Sequence, residues 1–135
     1  MKVMGRWSVR TVDVRADGTG LCSRAGTSLL ALAADRLGLT AELSAALAST
    51  RERQGGHDPG RVFCDLAVML ADGGRCVSDL AALAGQESLF GEVASVSTAR
   101  RVVQSIGSVE LTAIRSARAC AWSAGAAPDR VNPRL

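Results

Sequence analysis

Apolar residues fall along this chain in two rhythms. Trp7 to Arg15, WSVRTVDVR, partly alternates and is rich in β-branched residues, the pattern of a half-covered strand. Asp17-Gly18 marks a turn, and Leu21 and Cys22 can continue a second short strand, so residues 1–26 are expected to form a β-hairpin. From Thr27 the period lengthens. Leu29, Leu30, Ala33 and Leu37 fall on one helical face, and Gly38 stops the helix. Thr40 can cap a second helix that uses Leu43, Ala46 and Leu47.

The polar stretch RERQGGHDPG, Arg51 to Gly60, reads as a loop. A third helix follows, with Val62, Phe63, Leu66, Met69 and Leu70 directed inward and Asp72-Gly73-Gly74 ending it. Ser78 can cap a short fourth helix through Leu80 and Leu83, and residues 85–94 read as a connection. Ser97 can cap a fifth helix, whose Ala99, Val102, Val103 and Ile106 stand at i, i+3, i+4 and i+7. Ser108 opens a sixth that runs to about Gly125. The expected fold is therefore mainly α, about six short helices behind an N-terminal hairpin. A helical domain spans residues 27–125, with a helix-turn-helix-like pair at 78–107, and a loose tail without periodicity covers 126–135.

Composition thins the expected core. The hydrophobic fraction is 47%, but alanine supplies much of it and aromatic residues make up only 3%, so little large side-chain area is available to bury. Exposed apolar surface on the sixth helix is expected to follow. The net charge of +3 is unevenly spread. Residues 61–99 carry Arg61 and Arg75 against Asp65, Asp72, Asp79, Glu87 and Glu92. Residues 100–135 carry Arg100, Arg101, Arg115, Arg118, Arg130 and Arg134 against Glu110 and Asp129. A basic final quarter suits a phosphate-facing surface, or simply a solvated helical face.

Candidate chemistry is sparse. Cys22, Cys64, Cys76 and Cys120 form no Cys-x-x-Cys pair, which leaves zinc ligation without support; Cys64 and Cys120 are expected to be buried thiols. The N-terminus lacks the apolar core of a secretory signal, and no run reaches the roughly 18 apolar residues of a membrane helix, so a cytoplasmic protein without membrane contact is expected. His57 has no second histidine to pair with and reads as an exposed loop residue. Asp65, Asp72 and Asp79 recur every seven residues, but Gly73-Gly74 interrupts the helix between them; solvated surfaces and caps explain them better than a metal. Gly18 and Gly20 begin a G-x-G that Ser23 breaks off, and no Gly-Lys-Ser/Thr follows. Serine and cysteine nucleophiles have no plausible basic partner.

The fifth helix carries the most specific chemistry. At roughly 100° per residue, Ser97, Arg101 and Gln104 project opposite its apolar face, with Arg100 at the edge. Arginine can pair with guanine, glutamine with adenine, and serine or threonine with phosphate oxygens. Ser95, Ser97, Thr98, Arg100, Arg101 and Gln104, with Arg115 and Arg118 on the next helix, are the candidate DNA-binding residues. The ten-residue connection before this helix is longer than the usual turn of a helix-turn-helix.

The same stretch carries a resemblance. GRVFCDLAVMLADGGRCVSDLAALAGQESLFGEVASVSTARRVV, Gly60 to Val103, resembles the N-terminal region of bacterial DDE transposases of insertion-sequence family 1380. The matching blocks are Ala71 to Gly74, Ser78 to Leu80, Leu89 to Gly91, and Ala94, Ser95, Thr98 and Arg101; the likeness extends over residues 20–129. In that family an RNase-H-like domain follows a segment like Gly125 to Asp129. Its three acidic residues hold two divalent ions, such as Mg²⁺, for attack on phosphodiesters. The resemblance therefore implies a transposase fragment that stops short of its active site. Such a fragment is expected to bind the element's DNA ends, to need no cofactor of its own and, as the chain stands, not to be an enzyme. Self-association is a further contact left open. A stand-alone helix-turn-helix regulator and a helical interaction fragment that binds no DNA are the alternatives.

Overall fold

A computed structural model describes residues 24–51 and 56–126. The helices are α1 (Ala25–Arg36), α2 (Leu39–Ala46), α3 (Pro59–Ala71), α4 (Ala81–Ala84), α5 (Glu87–Phe90), α6 (Val96–Ser105) and α7 (Ser108–Ala126). Short 3-10 turns occupy Ala48–Thr50 and Val77–Leu80. No strand occurs among the described residues, and the mainly helical expectation holds. Of the hairpin expected over residues 1–26 and the tail expected over 126–135, residues 1–23 and 127–135 lie outside them; Ala25 and Gly26 instead begin α1, and Ala126 ends α7. No helix among the described residues is long and apolar enough to cross a membrane.

Helix α3 is the hub. Pro59 at its first turn lacks the amide that would go unpaired there, and the Asp58 carboxylate accepts from the Arg61 amide at 2.9 Å. Ser44 of α2 donates to the same Asp58 oxygen, tying the cap to the neighbouring helix. One side of α3 supplies Val62, Leu66, Val68 and Met69 to a core shared with Ala31, Leu80, Leu83, Phe90, Ala94 and Ala99. Cys64 joins a smaller cluster with Ala34, Leu43 and Ala117. Thus α1, α2, α6 and the second 3-10 turn pack on α3, while α7 lies mainly on α2.

Several local expectations need correction. In α1 the buried residues are Ser28, Ala31, Leu32 and Ala34, whereas Leu29, Leu30 and Leu37 are exposed. This helix is apolar almost all round, so spacing did not select a face. Ser28 tolerates burial because its hydroxyl donates to the Ala25 carbonyl at 2.7 Å. The second helix starts from Gly38 at φ 74°, not from a Thr40 cap, and Thr40 instead donates to Asp35 Oδ1 at 2.7 Å. Ser78 lies within the 3-10 turn, which begins after Cys76. The expected connection over 85–94 contains α5, whose Phe90 is almost wholly buried, which brings the α-helices among the described residues to seven. Ser95, not Ser97, caps α6 by accepting from the Thr98 amide at 3.3 Å. Phe63 is half-buried and Leu70 exposed. Cys64 is buried as expected, but Cys120 is exposed.

The three aspartates have three different surroundings. Asp65 is 3% exposed and faces the Arg61 guanidinium at 3.4 Å, so it is no solvated surface group. Arg61 also donates to Asp35 at 3.2 Å, so one guanidinium bridges two carboxylates between α1 and α3. Asp72 accepts from Thr27 and pairs with Arg24, fastening the end of α3 to the start of α1. Asp79 accepts from the backbone amides of Arg75 at 2.7 Å and Cys76 at 3.0 Å, which is the capping role expected of it.

Candidate nucleic-acid interface

Helix α6 is held by a small residue. Ala99 is completely buried, which lets the helix axis approach α3 closely, and Val102 is half-buried beside it. That seating fixes where every other side chain of α6 goes. Ser97, Arg100 and Gln104 are exposed on one flank. Thr98, Arg101, Val102 and Ser105 line the other, at the i, i+3, i+4, i+7 spacing of a single helical strip. The six candidate residues of this helix therefore do not form one surface.

Ser95 and Thr98 have structural duties. Ser95 Oγ caps the helix and stands 3.0 Å from both Ser97 Oγ and Thr98 Oγ1. Thr98 Oγ1 in turn accepts from Arg101 Nη2 at 3.3 Å. Arg101 is exposed but oriented by this bond toward its own flank. That flank walls a cleft of about 190 Å³, closed opposite by Thr50, Arg51, Gly56, His57 and Pro59. Arg51 Nη2 donates to the Gly56 carbonyl at 3.0 Å. His57 Nε2 lies 3.8 Å from a carboxylate oxygen of Glu92, whose side chain is 86% exposed. His57 is exposed, as expected. Loop composition carries no sign that residue 51 comes to face residue 101.

Arg115 and Arg118 are both exposed on α7. They share an outward strip with Leu111 and Trp122, spaced i, i+4, i+7 and i+11, and Trp122 is 79% exposed. The expected apolar exposure on this helix is therefore present. Because α7 rests on α2 and α6 rests on α3, these arginines belong to a separate basic strip. Helix α6 is preceded by α4 and α5 rather than by one helix and a tight turn, so the pair over 78–107 departs from the usual helix-turn-helix spacing.

The blocks of sequence that carried the resemblance are mainly structural. Asp72 joins α3 to α1, and Gly73 turns the chain away from the helix at φ 97°. Asp79 secures the 3-10 turn and Leu80 fills the core. Phe90 seals that core, Ala94 is buried under it, and Ser95 starts α6.

Residues 5–129 match the family model of transposase DDE domain group 1. The chain belongs to the DDE transposases. No curated relative and no solved structure matches it. Membership overturns the expectation that the chain stands outside the enzymes, because the matched span is a DDE domain and covers nearly all of it. DDE chemistry uses divalent metal held by acidic residues. Among the described residues no group of three or more His, Cys, Asp or Glu side chains could hold an ion. Asp35 and Asp65 do converge, but the Arg61 guanidinium already lies against both, and its charge opposes a cation there. The described residues do not fit the metal pair.

Proposed function

We propose that this transposase chain holds DNA at the ends of its element through α6, and that it is a member of insertion-sequence family 1380. The observation that carries the DNA reading is the seating of α6. A fully buried Ala99 anchors the helix, and Ser97, Arg100 and Gln104 are left exposed together on its outer flank. Arg100 and Gln104 are four residues apart, so their heads are neighbours. They offer a guanidinium for guanine and a carboxamide for adenine. Arg115 and Arg118, on the strip with Trp122, supply backbone contacts from α7. Membership of a transposase family supports a DNA partner. The ordered motif blocks support the finer family assignment.

The test is affinity for an element-end duplex and a scrambled duplex across a range of salt. Arg100→Ala and Gln104→Ala are expected to cost about 1–3 kcal/mol on the element end and to narrow the gap to the scrambled sequence. Arg115→Ala should weaken both duplexes alike and flatten the salt dependence by about one ion. Element-end binding that persists unchanged in the first two variants would remove α6 from the interface. Absence of any salt-dependent DNA binding would favour a helix set that only packs against other protein.

A further inference from the structure

Val103 departs from the face that its spacing assigns. With Ala99, Val102 and Ile106 it belongs to the apolar stripe of α6, yet it is 43% exposed. Ala99 is completely buried, and Val102 and Ile106 are half-buried, so the seat of the helix leaves Val103 at its margin. One exposed valine means little alone. Its neighbours give it meaning. Arg100 precedes it by three residues, which sets the two side chains next to each other on one strip, and Gln104 follows it directly. At roughly 100° per residue, Val103, Arg100 and Gln104 succeed one another around the helix from the buried face to the outer flank.

Charge admits nucleic acid at this arc. Helix α6 holds no acidic residue. Glu110, beyond its end, is tied back by accepting from the Gly107 amide at 2.9 Å. Glu92, before its start, approaches His57 on the opposite flank. Valine is a poorer helix former than alanine, so local helix stability does not account for an exposed one here. Its β-branched side chain has one strongly preferred χ1 rotamer in a helix, which fixes its methyls before any partner arrives.

Lengthwise placement narrows the partner. A helix advances about 1.5 Å per residue, so Val103 stands about 4.5 Å along the axis from Arg100 and level with Gln104 to within about 1.5 Å. Successive bases of a DNA strand are about 3.4 Å apart. With α6 along the major groove, Val103 therefore meets the base pair that Gln104 reads or the one stacked on it. The major-groove edge of an A·T pair presents one apolar group beside the adenine N6 and N7 that suit glutamine, the thymine 5-methyl.

We infer that Val103 is a specificity-determining residue that packs on a thymine 5-methyl, in the pair read by Gln104 or the pair next to it. The inference rests on the DNA reading above and sharpens it, because the surface then asks for the methyl itself as well as for hydrogen-bonding groups.

The experiment removes the methyls from each side in turn. Element-end duplexes are made with single thymines replaced by uracil, which keeps every hydrogen-bonding group and loses only the methyl. Affinities are measured for the full chain, for Val103→Ala, and for Val109→Ala as a control valine on α7 that is 75% exposed. Thermal melting checks folding, and the uracil series on the unmodified chain stands whether or not a variant folds. The unmodified chain is expected to lose about fourfold at one thymine, the worth of one buried methyl. Val103→Ala should lose a similar factor on the thymine duplex and nothing further when that thymine becomes uracil. Val109→Ala should keep the full uracil effect. Indifference to uracil at every thymine overturns the inference and leaves the α6 reading to stand on Arg100→Ala and Gln104→Ala. A uracil effect that survives in Val103→Ala also overturns it, since another residue would then meet the methyl. Equal weakening of thymine and uracil duplexes by Val103→Ala, with the uracil effect intact, reduces Val103 to a support of the helix and counts against it. Absence of all DNA binding removes the functional reading and this inference together.

Discussion

Asp79 shows how much one exposed carboxylate can decide locally. Two backbone amides, those of Arg75 and Cys76, donate to it and hold its pKa below the ordinary aspartate value. The Cys76 side chain adds to this in the same direction. As pH falls, the unfolded chain takes up this proton before the folded one does. The stability Asp79 contributes is therefore present above its ordinary pKa near 3.8 and is lost as pH drops through the lower folded value. Asp79→Asn should lower the urea midpoint at pH 7, and the difference from the unmodified chain should shrink in acid, as pH falls from 3.8 through the lower folded value. An equal difference at both pH values would show that the carboxylate charge is not what secures the turn. Cys64 illustrates the opposite case. Burial raises its pKa, only partly offset by the Thr40 hydroxyl.

At the scale of elements, α2 and α3 meet backbone to backbone at Gly60. A Cβ placed on Gly60 would stand 2.2 Å from the Ser44 amide nitrogen and 2.4 Å from its Cα. Those are backbone atoms and cannot rotate aside. Gly60→Ala must push the two helices apart, and it would also disturb the bond between Ser44 and Asp58. The expected cost is about 1–3 kcal/mol in chemical denaturation. A helix-interior Gly→Ala change would otherwise stabilise by roughly 0.5–1 kcal/mol, so the sign of the measured change decides the matter. The glycine is visible in the sequence as part of Pro59-Gly60, where it reads as the end of a loop. Its reason lies in a helix sixteen residues upstream, which is why spacing could not supply it.

For the whole molecule, the question is whether two clusters behave as one domain. Phe90 sits in the larger and Leu43 in the smaller, and α3 contributes to both. A shared rigid helix should couple them. Phe90→Ala is expected to cost about 3–5 kcal/mol and Leu43→Ala about 2–5 kcal/mol. Each should shift a single thermal transition rather than split it. Two separated transitions in either variant would mean that α2 and α7 melt apart from the rest. Much of this core is alanine, including Ala31, Ala34, Ala94, Ala99, Ala117 and Ala121, so few large side chains hold it and each matters more.

The sequence by itself determined the helical class, the rough extents of α1, α2, α3, α6 and α7, and the position of the basic residues. These follow from periodicity, breakers and charge, all of which act over a few neighbouring residues. Motif order also made the family legible, because Asp72, Asp79, Phe90 and Ser95 each anchor a junction whose spacing along the chain is constrained. Tertiary packing decided what local rules left equal. It chose the small-residue face of α1 over its leucines, and it buried Phe90 in what reads as a connection. It also put Arg61 between two aspartates. Above all, it divided the arginines of α6. Arg100 and Arg101 are adjacent in sequence and a helix turns roughly 100° between them. Once Ala99 was seated on α3, one arginine joined Gln104 on the outer flank and the other faced Arg51 across a cleft.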